Sequence, residues 1–172
     1  MIKILNAIRL NAINLNAINL NAVCLILILF SHITLAKEPL ELFWEDMVPA
    51  DYETPDTPLS HDGSMMQMGL DAPVIDSLNG KLVKIPGFVV PLEGNNETTT
   101  EFLLVPYFGA CIHVPPPPAN QIVYVKFLEA VPIDNLYDAV WVTGTLTAKG
   151  WKGDLATVGY SLSGVEVSPY DG

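Results

Sequence analysis

A thiol and an imidazole stand two residues apart in this chain, at Cys111 and His113, and four prolines, Pro115, Pro116, Pro117 and Pro118, follow them. Asn120 and Gln121 close the stretch. Thiolate and imidazole are the ligands that a borderline-soft ion takes, which points to zinc and, less directly, to copper. Without a metal, the same pair is a thiolate beside a base, the arrangement of an activated nucleophile. A structural zinc site uses four ligands and a catalytic one usually three. No Cys-x-x-Cys or His-Glu-x-x-His pattern supplies the others, so His61 and the acidic side chains are the candidates. Met65, Met66 and Met68 lie just beyond His61. They are soft thioethers suited to Cu(I), or else apolar side chains that dock their loop on a core. No catalytic triad or carboxylate pair can be picked out from spacing, and no catalytic residue is assigned.

The residues around the pair dictate its expected geometry. Val114 precedes a proline, which pushes it toward extended backbone, and the proline run favours stiff polyproline geometry. In an extended segment over residues 111–114, Cys111 and His113 project to the same side. Cys111 has no disulfide partner beyond the N-terminal leader, where Cys24 lies. A lone thiol in an oxidising compartment is expected to be buried, bound to metal or used.

That compartment is read from the first 36 residues. Lys3 and Arg9 precede a short apolar run over residues 23–30, and Thr34, Leu35 and Ala36 offer a cleavage site after Ala36. The run is well short of the roughly 20 residues that a membrane-spanning helix needs. An exported, periplasmic protein follows, with tethering by an uncleaved leader as the alternative. The repeat LNAIR-LNAIN-LNAIN-LNA within this leader reads as low-complexity sequence and not as part of a fold. The remaining chain carries six lysines and no arginine against nineteen acidic residues, a formal net charge of −13. Nucleic acid and anionic membrane surfaces are thereby disfavoured as partners, because both are bound chiefly through lysine and arginine.

The elements that must position the pair are mostly strands. Residues 37–76 form an approach segment, with a helix expected over 40–47 from the spacing of Leu40, Phe43, Trp44 and Met47, and then a long polar loop. From residue 77 the pattern is β, with strands expected over 81–91, 101–105, 121–127, 139–147 and 156–167. Pro86 and Gly87 suggest a bulge in the first, and residues 94–96 a turn after it. The connections leave no room for crossover helices. The expected fold is mainly β: a small OB-like barrel of five antiparallel strands over 77–172, preceded by the helix and extended approach.

Two stretches carry a resemblance. The segment NGKLVKIPGFVVPLE from Asn79 and the segment FLLVPYFGACIHVPPPPANQ from Phe102 resemble an exported bacterial family of unknown function, DUF3299, over about residues 43–167. The resemblance implies that Cys111, His113, Asn120 and Gln121 are motif residues. It also implies a periplasmic setting and an association with ABC transporters of metal supply. Two functions stand on these readings. One is an accessory protein that holds zinc through Cys111 and His113 and serves a membrane transporter. The other is a non-enzymatic structural or interaction module that uses the rigid proline loop for docking.

Overall fold

Strands occupy all five segments where β-branched and other apolar residues placed them. The computed structural model describes residues 37–53, 66–94, 97–111, 113–132 and 138–171. The leader and its cleavage site, His61, Met65 and the asparagines of the expected turn lie outside the described residues. The chain divides into two units, Met1–Lys37 and Glu38–Gly172, and the second holds every element named below. These are β1 (Leu40–Glu41), β2 (Leu82–Gly94), β3 (Thr98–Val105), β4 (Val123–Pro132), β5 (Val140–Thr147), β6 (Trp151–Lys152), β7 (Thr157–Val158) and β8 (Tyr160–Pro169). The strand order β2-β3-β4-β8-β5 closes on itself because β5 also pairs with β2. The result is a mainly β protein with a closed five-stranded barrel. Among the barrel strands only β4 and β8 run parallel, with residues 123–126 beside 160–163. Among the described residues no helix is long and apolar enough to cross a membrane.

Closure depends on β2 serving two neighbours. Residues 82–87 pair with β5, and residues 88–94 pair with β3. Pro86 and Gly87 therefore mark a change of partner, and the register shifts fall later, between Pro91 and Gly94. A Cβ at Gly87 would lie 2.7 Å from the Val105 carbonyl oxygen, so glycine alone lets the two strands approach this closely.

The barrel interior holds Val83, Ile85, Val89, Phe102, Leu104, Val125, Phe127, Val142, Leu146 and Leu162. A second apolar cluster lies on the other face of β2 and β3. There Val90, Leu103 and Val105 pack with Ala110, Cys111, Ile122, Ala156 and Val158. Both faces of β3 are thus covered, which is why residues 102–105 read as an unbroken apolar run and not as an alternation. The segment 106–122 and the β6–β7 hairpin form this outer layer.

The helix expected over residues 40–47 does not form. Leu40 and Glu41 instead add in parallel to Val83 and Lys84, and residues Trp44–Met47 make a single 3-10 turn. The Leu42 N–H donates to the Lys84 carbonyl at 2.9 Å, so the backbone finds its partner on a strand edge. An isolated helix this short is marginal in water, and sheet pairing outweighs it. Leu40 and Phe43 are exposed, whereas Leu42 and Met47 are buried; the helical spacing did not mark the buried face. Tyr160 ties this approach to the barrel. Its hydroxyl donates to the Met47 carbonyl at 2.8 Å and accepts from the Ile75 N–H at 2.7 Å.

Candidate functional site

The Cys/His segment is a tight turn and not an extended strand. Gly109 has φ of 82° and Cys111 has φ of 65°, the only non-glycine residue with positive φ among those described. The chain curls so that the Gly109 carbonyl accepts from the N–H groups of His113 at 2.8 Å and Val114 at 3.2 Å. Ala110 and Val114 form an isolated bridge. The expectation that Cys111 and His113 share one side of an extended segment is therefore corrected: the turn's own hydrogen bonds outweigh the preference that Pro115 imposes on Val114. Cys111 is 5 % exposed and packed in the outer cluster, while His113 is exposed.

Burial governs the thiol. Desolvation pushes the Cys111 pKa up from 9.0 to about 11, so the thiol is protonated at neutral pH. Tyr107 is raised in the same direction by its own burial and by the proximity of Cys111. A buried, protonated thiol is a poor nucleophile. Among the described residues no three His, Cys, Asp or Glu side chains come together to hold a metal ion. Cys111 lies in the apolar cluster, whereas His113 is exposed at the surface. Of the methionines, Met66 is exposed and Met68 half-buried, and Met65 lies outside the described residues.

The prolines divide. Pro115 and Pro116 are half-buried, whereas Pro117 and Pro118 are buried. Gln67, which sequence reasoning missed, holds them. Its Nε2 donates to the carbonyls of Pro117 at 2.9 Å and Thr157 at 2.7 Å, and its Oε1 accepts from the Thr157 N–H at 2.7 Å. The Ala119 N–H donates to the Gly69 carbonyl at 3.0 Å. The proline run, the chain around residue 67 and β7 are thereby one unit. Gln67 carried no signal in the sequence, since it sits among methionines and its partners are backbone groups far along the chain. Asn120 is buried, and its Nδ2 donates to the Pro73 carbonyl at 3.0 Å; its Oδ1 makes no hydrogen bond among the described residues. Gln121 is half-buried and ends the 3-10 turn Ala119–Gln121.

Beside His113, what the loop offers to solvent is mainly apolar. Tyr107 is 42 % exposed, Phe108 48 % and Val114 40 %. Phe108 rests edge-on against Phe88 with ring centroids 6.0 Å apart, and the Tyr107 hydroxyl donates to the Pro115 carbonyl at 3.2 Å. This rim is held by a clamped loop.

The same loop lies within a family match. Residues 44–169 match the family described as "Protein of unknown function (DUF3299)". The chain belongs to the DUF3299 family. The DUF3299 match runs from the first residue of the 3-10 turn to the last residue of β8, so it takes in both the barrel and its outer layer. The chain is similar to a DUF3299 family protein of Pseudomonas aeruginosa known from a crystal structure, with 42% sequence identity and a TM-score of 0.70. The similarity covers 78% of this chain and 98% of that one. A comparison with curated proteins finds no match.

Proposed function

We propose that this DUF3299 protein is an exported, non-enzymatic interaction module whose docking surface is the apolar rim of the Cys/Pro loop, formed by Tyr107, Phe108, Val114 and Pro115. The observation that carries this reading is the exposure of three large apolar side chains on one short loop whose backbone and prolines are pinned from within. Aromatic side chains on a preorganised loop lose little entropy when they dock, which is what makes such residues binding anchors. The partner that fits is an envelope protein, in this reading a component of an ABC transporter, with an apolar contact segment flanked by basic residues. The acidity of the exported part complements such flanks. Cys111 is then a packing residue that shapes the turn. The alternative is a zinc accessory role through Cys111 and His113.

The test is in-cell photo-crosslinking in the native host, with a benzoylphenylalanine at position 108 and, as control, at position 165, where Val165 is 70 % exposed. The reading expects one discrete adduct from position 108, identified by mass spectrometry as an envelope protein and lost with Val114→Asp, and none from position 165. Equal labelling at both positions, or an adduct indifferent to Val114→Asp, overturns it. Elemental mass spectrometry of the same full-length protein tests the other reading. Near-stoichiometric zinc, lost in both Cys111→Ala and His113→Ala, would replace the docking surface with a metal centre.

A further inference from the structure

Asn79 is the one asparagine in the 172-residue sequence that is followed by glycine. An asparagine side chain is open to attack on its amide carbon by the main-chain nitrogen of the next residue, and glycine, which has no Cβ, hinders that approach least. Both residues are exposed, and apart from the chain neighbours no heavy atom lies within 4 Å of where a Cβ at Gly80 would stand. The fold nevertheless holds the pair out of reaction. Ring closure needs the Gly80 nitrogen eclipsed with Asn79 Cβ, and a ψ of 131° at Asn79 turns it well away. The Gly80 N–H donates to the Leu146 carbonyl at 2.8 Å, and the Leu146 N–H donates to the Lys81 carbonyl at 2.9 Å. Asn79 Oδ1 accepts from the Ala148 N–H at 3.1 Å, which ties the amide to the chain just past β5. These bonds continue the β2–β5 ladder beyond its last register pair, Leu82 with Thr145. Ladder ends are where a sheet opens first.

We propose that Asn79 is a modification site, the residue at which this chain deamidates, and that the reaction is gated by opening of this end of the β2–β5 ladder. In the opened state the Gly80 nitrogen loses its proton to solvent hydroxide and attacks Asn79 Cγ. The new C–N bond forms as the Cγ–Nδ2 bond breaks, and the amide nitrogen leaves as ammonia. Water then adds to one or the other carbonyl of the cyclic imide that joins residues 79 and 80. One opening gives aspartate; the other gives isoaspartate, in which the main chain runs through the former side-chain carbon. Aspartate keeps an acceptor for the Ala148 N–H. Isoaspartate lengthens the main chain by one carbon between the Asp76–Leu78 turn and β2, which shifts Gly80 out of register with Leu146. Modification therefore marks the copies whose barrel seam has opened and hinders its reclosure.

The test incubates the full-length chain in mildly alkaline buffer, native and in urea, and follows each asparagine by peptide mass spectrometry that separates aspartate from isoaspartate. In urea Asn79 is expected to convert ahead of every other asparagine, and Gly80→Ala, unfolded there like the parent, to convert more slowly. In native buffer the conversion is expected to be at least about tenfold slower than in urea, equivalent to about 1.4 kcal/mol of opening. Folding should slow hydrogen exchange at the Gly80 N–H by the same factor. Chains carrying isoaspartate are expected to melt below Asn79→Asp. Equal rates in native buffer and urea, earlier conversion of another asparagine in urea, native conversion that outruns exchange at Gly80, or isoaspartate chains as stable as Asn79→Asp overturns the proposal.

Discussion

Cys111 combines a left-handed backbone with a desolvated thiol, and the same packing sustains both. Positive φ costs a side chain-bearing residue about 1–2 kcal/mol, and the turn's hydrogen bonds to Gly109, together with burial of the sulfur against Val90, Leu103 and Val105, offset it. A pKa of about 11 in place of 9.0 implies about a hundredfold less thiolate at neutral pH. Iodoacetamide labelling of the Cys111 peptide, followed by mass spectrometry, is therefore expected to be about a hundredfold slower in the native chain than in urea. Equal rates would show an accessible thiol. The pKa is raised on folding, so the native state holds the proton more tightly and this contribution to stability is intact below about pH 9. It declines as pH rises from 9 toward 11. Cys111→Ser should destabilise the chain by about 1–3 kcal/mol, read by urea denaturation, because a hydroxyl there is buried in a mainly apolar cluster.

At the scale of elements, the outer layer depends on one side-chain amide. Gln67 presents Thr157 with the donor and acceptor that a neighbouring strand would present, and it also receives the proline run. Gln67→Ala is expected to cost about 2–3 kcal/mol in urea denaturation, because it leaves the backbone groups of Thr157 and Pro117 without partners. Gln67→Glu should be at least as damaging at neutral pH, since a carboxylate retains the acceptor but turns negative charge toward two carbonyls. Protonation of that carboxyl in mild acid should recover part of the loss. Wild-type stability in both variants would mean that the layer is held by apolar packing alone. This clamp also explains the fate of the prolines. Their stiffness was legible in the sequence, but which of them face solvent depends on Gln67 and Gly69, residues about fifty positions away in the chain.

At the scale of the whole molecule, charge is the main adjustable term. Nineteen acidic residues face eight basic ones, and ion pairs such as Lys84 with Glu41 and Lys126 with Glu101 lie at the surface. Exposed pairs contribute little, whereas self-repulsion among uncompensated carboxylates weakens the compact state and is screened by salt. The melting temperature is accordingly expected to rise by a few degrees between about 0.01 M and about 0.5 M sodium chloride. A flat or falling trend in calorimetry would show that the carboxylates are spaced widely enough not to interact.

Local rules reached the class of the fold. Alternation and β-branched runs specify strands wherever one face meets a core, and residues 81–91, 121–127 and 139–147 became strands close to those bounds. The Cys/Pro motif marked a loop that packs on the outside of the barrel beside the β6–β7 hairpin and presents Tyr107 and Phe108 to solvent. The short helix at residues 40–47 was misread because a strand edge at Val83 and Lys84 offered its backbone a better partner. The geometry of Cys111 and His113 was misread because a turn closed by Gly109 outweighs the bias of a following proline. Whether β2 serves one neighbour or two, whether a thiol faces water or apolar packing, and where Trp151 stands are all consequences of which distant segments come together. Sequence by itself determined the periodic elements, whose causes lie within a few residues. Only the tertiary structure decided burial and partnership, because desolvation and hydrogen bonding at each of these sites are supplied by residues tens of positions away.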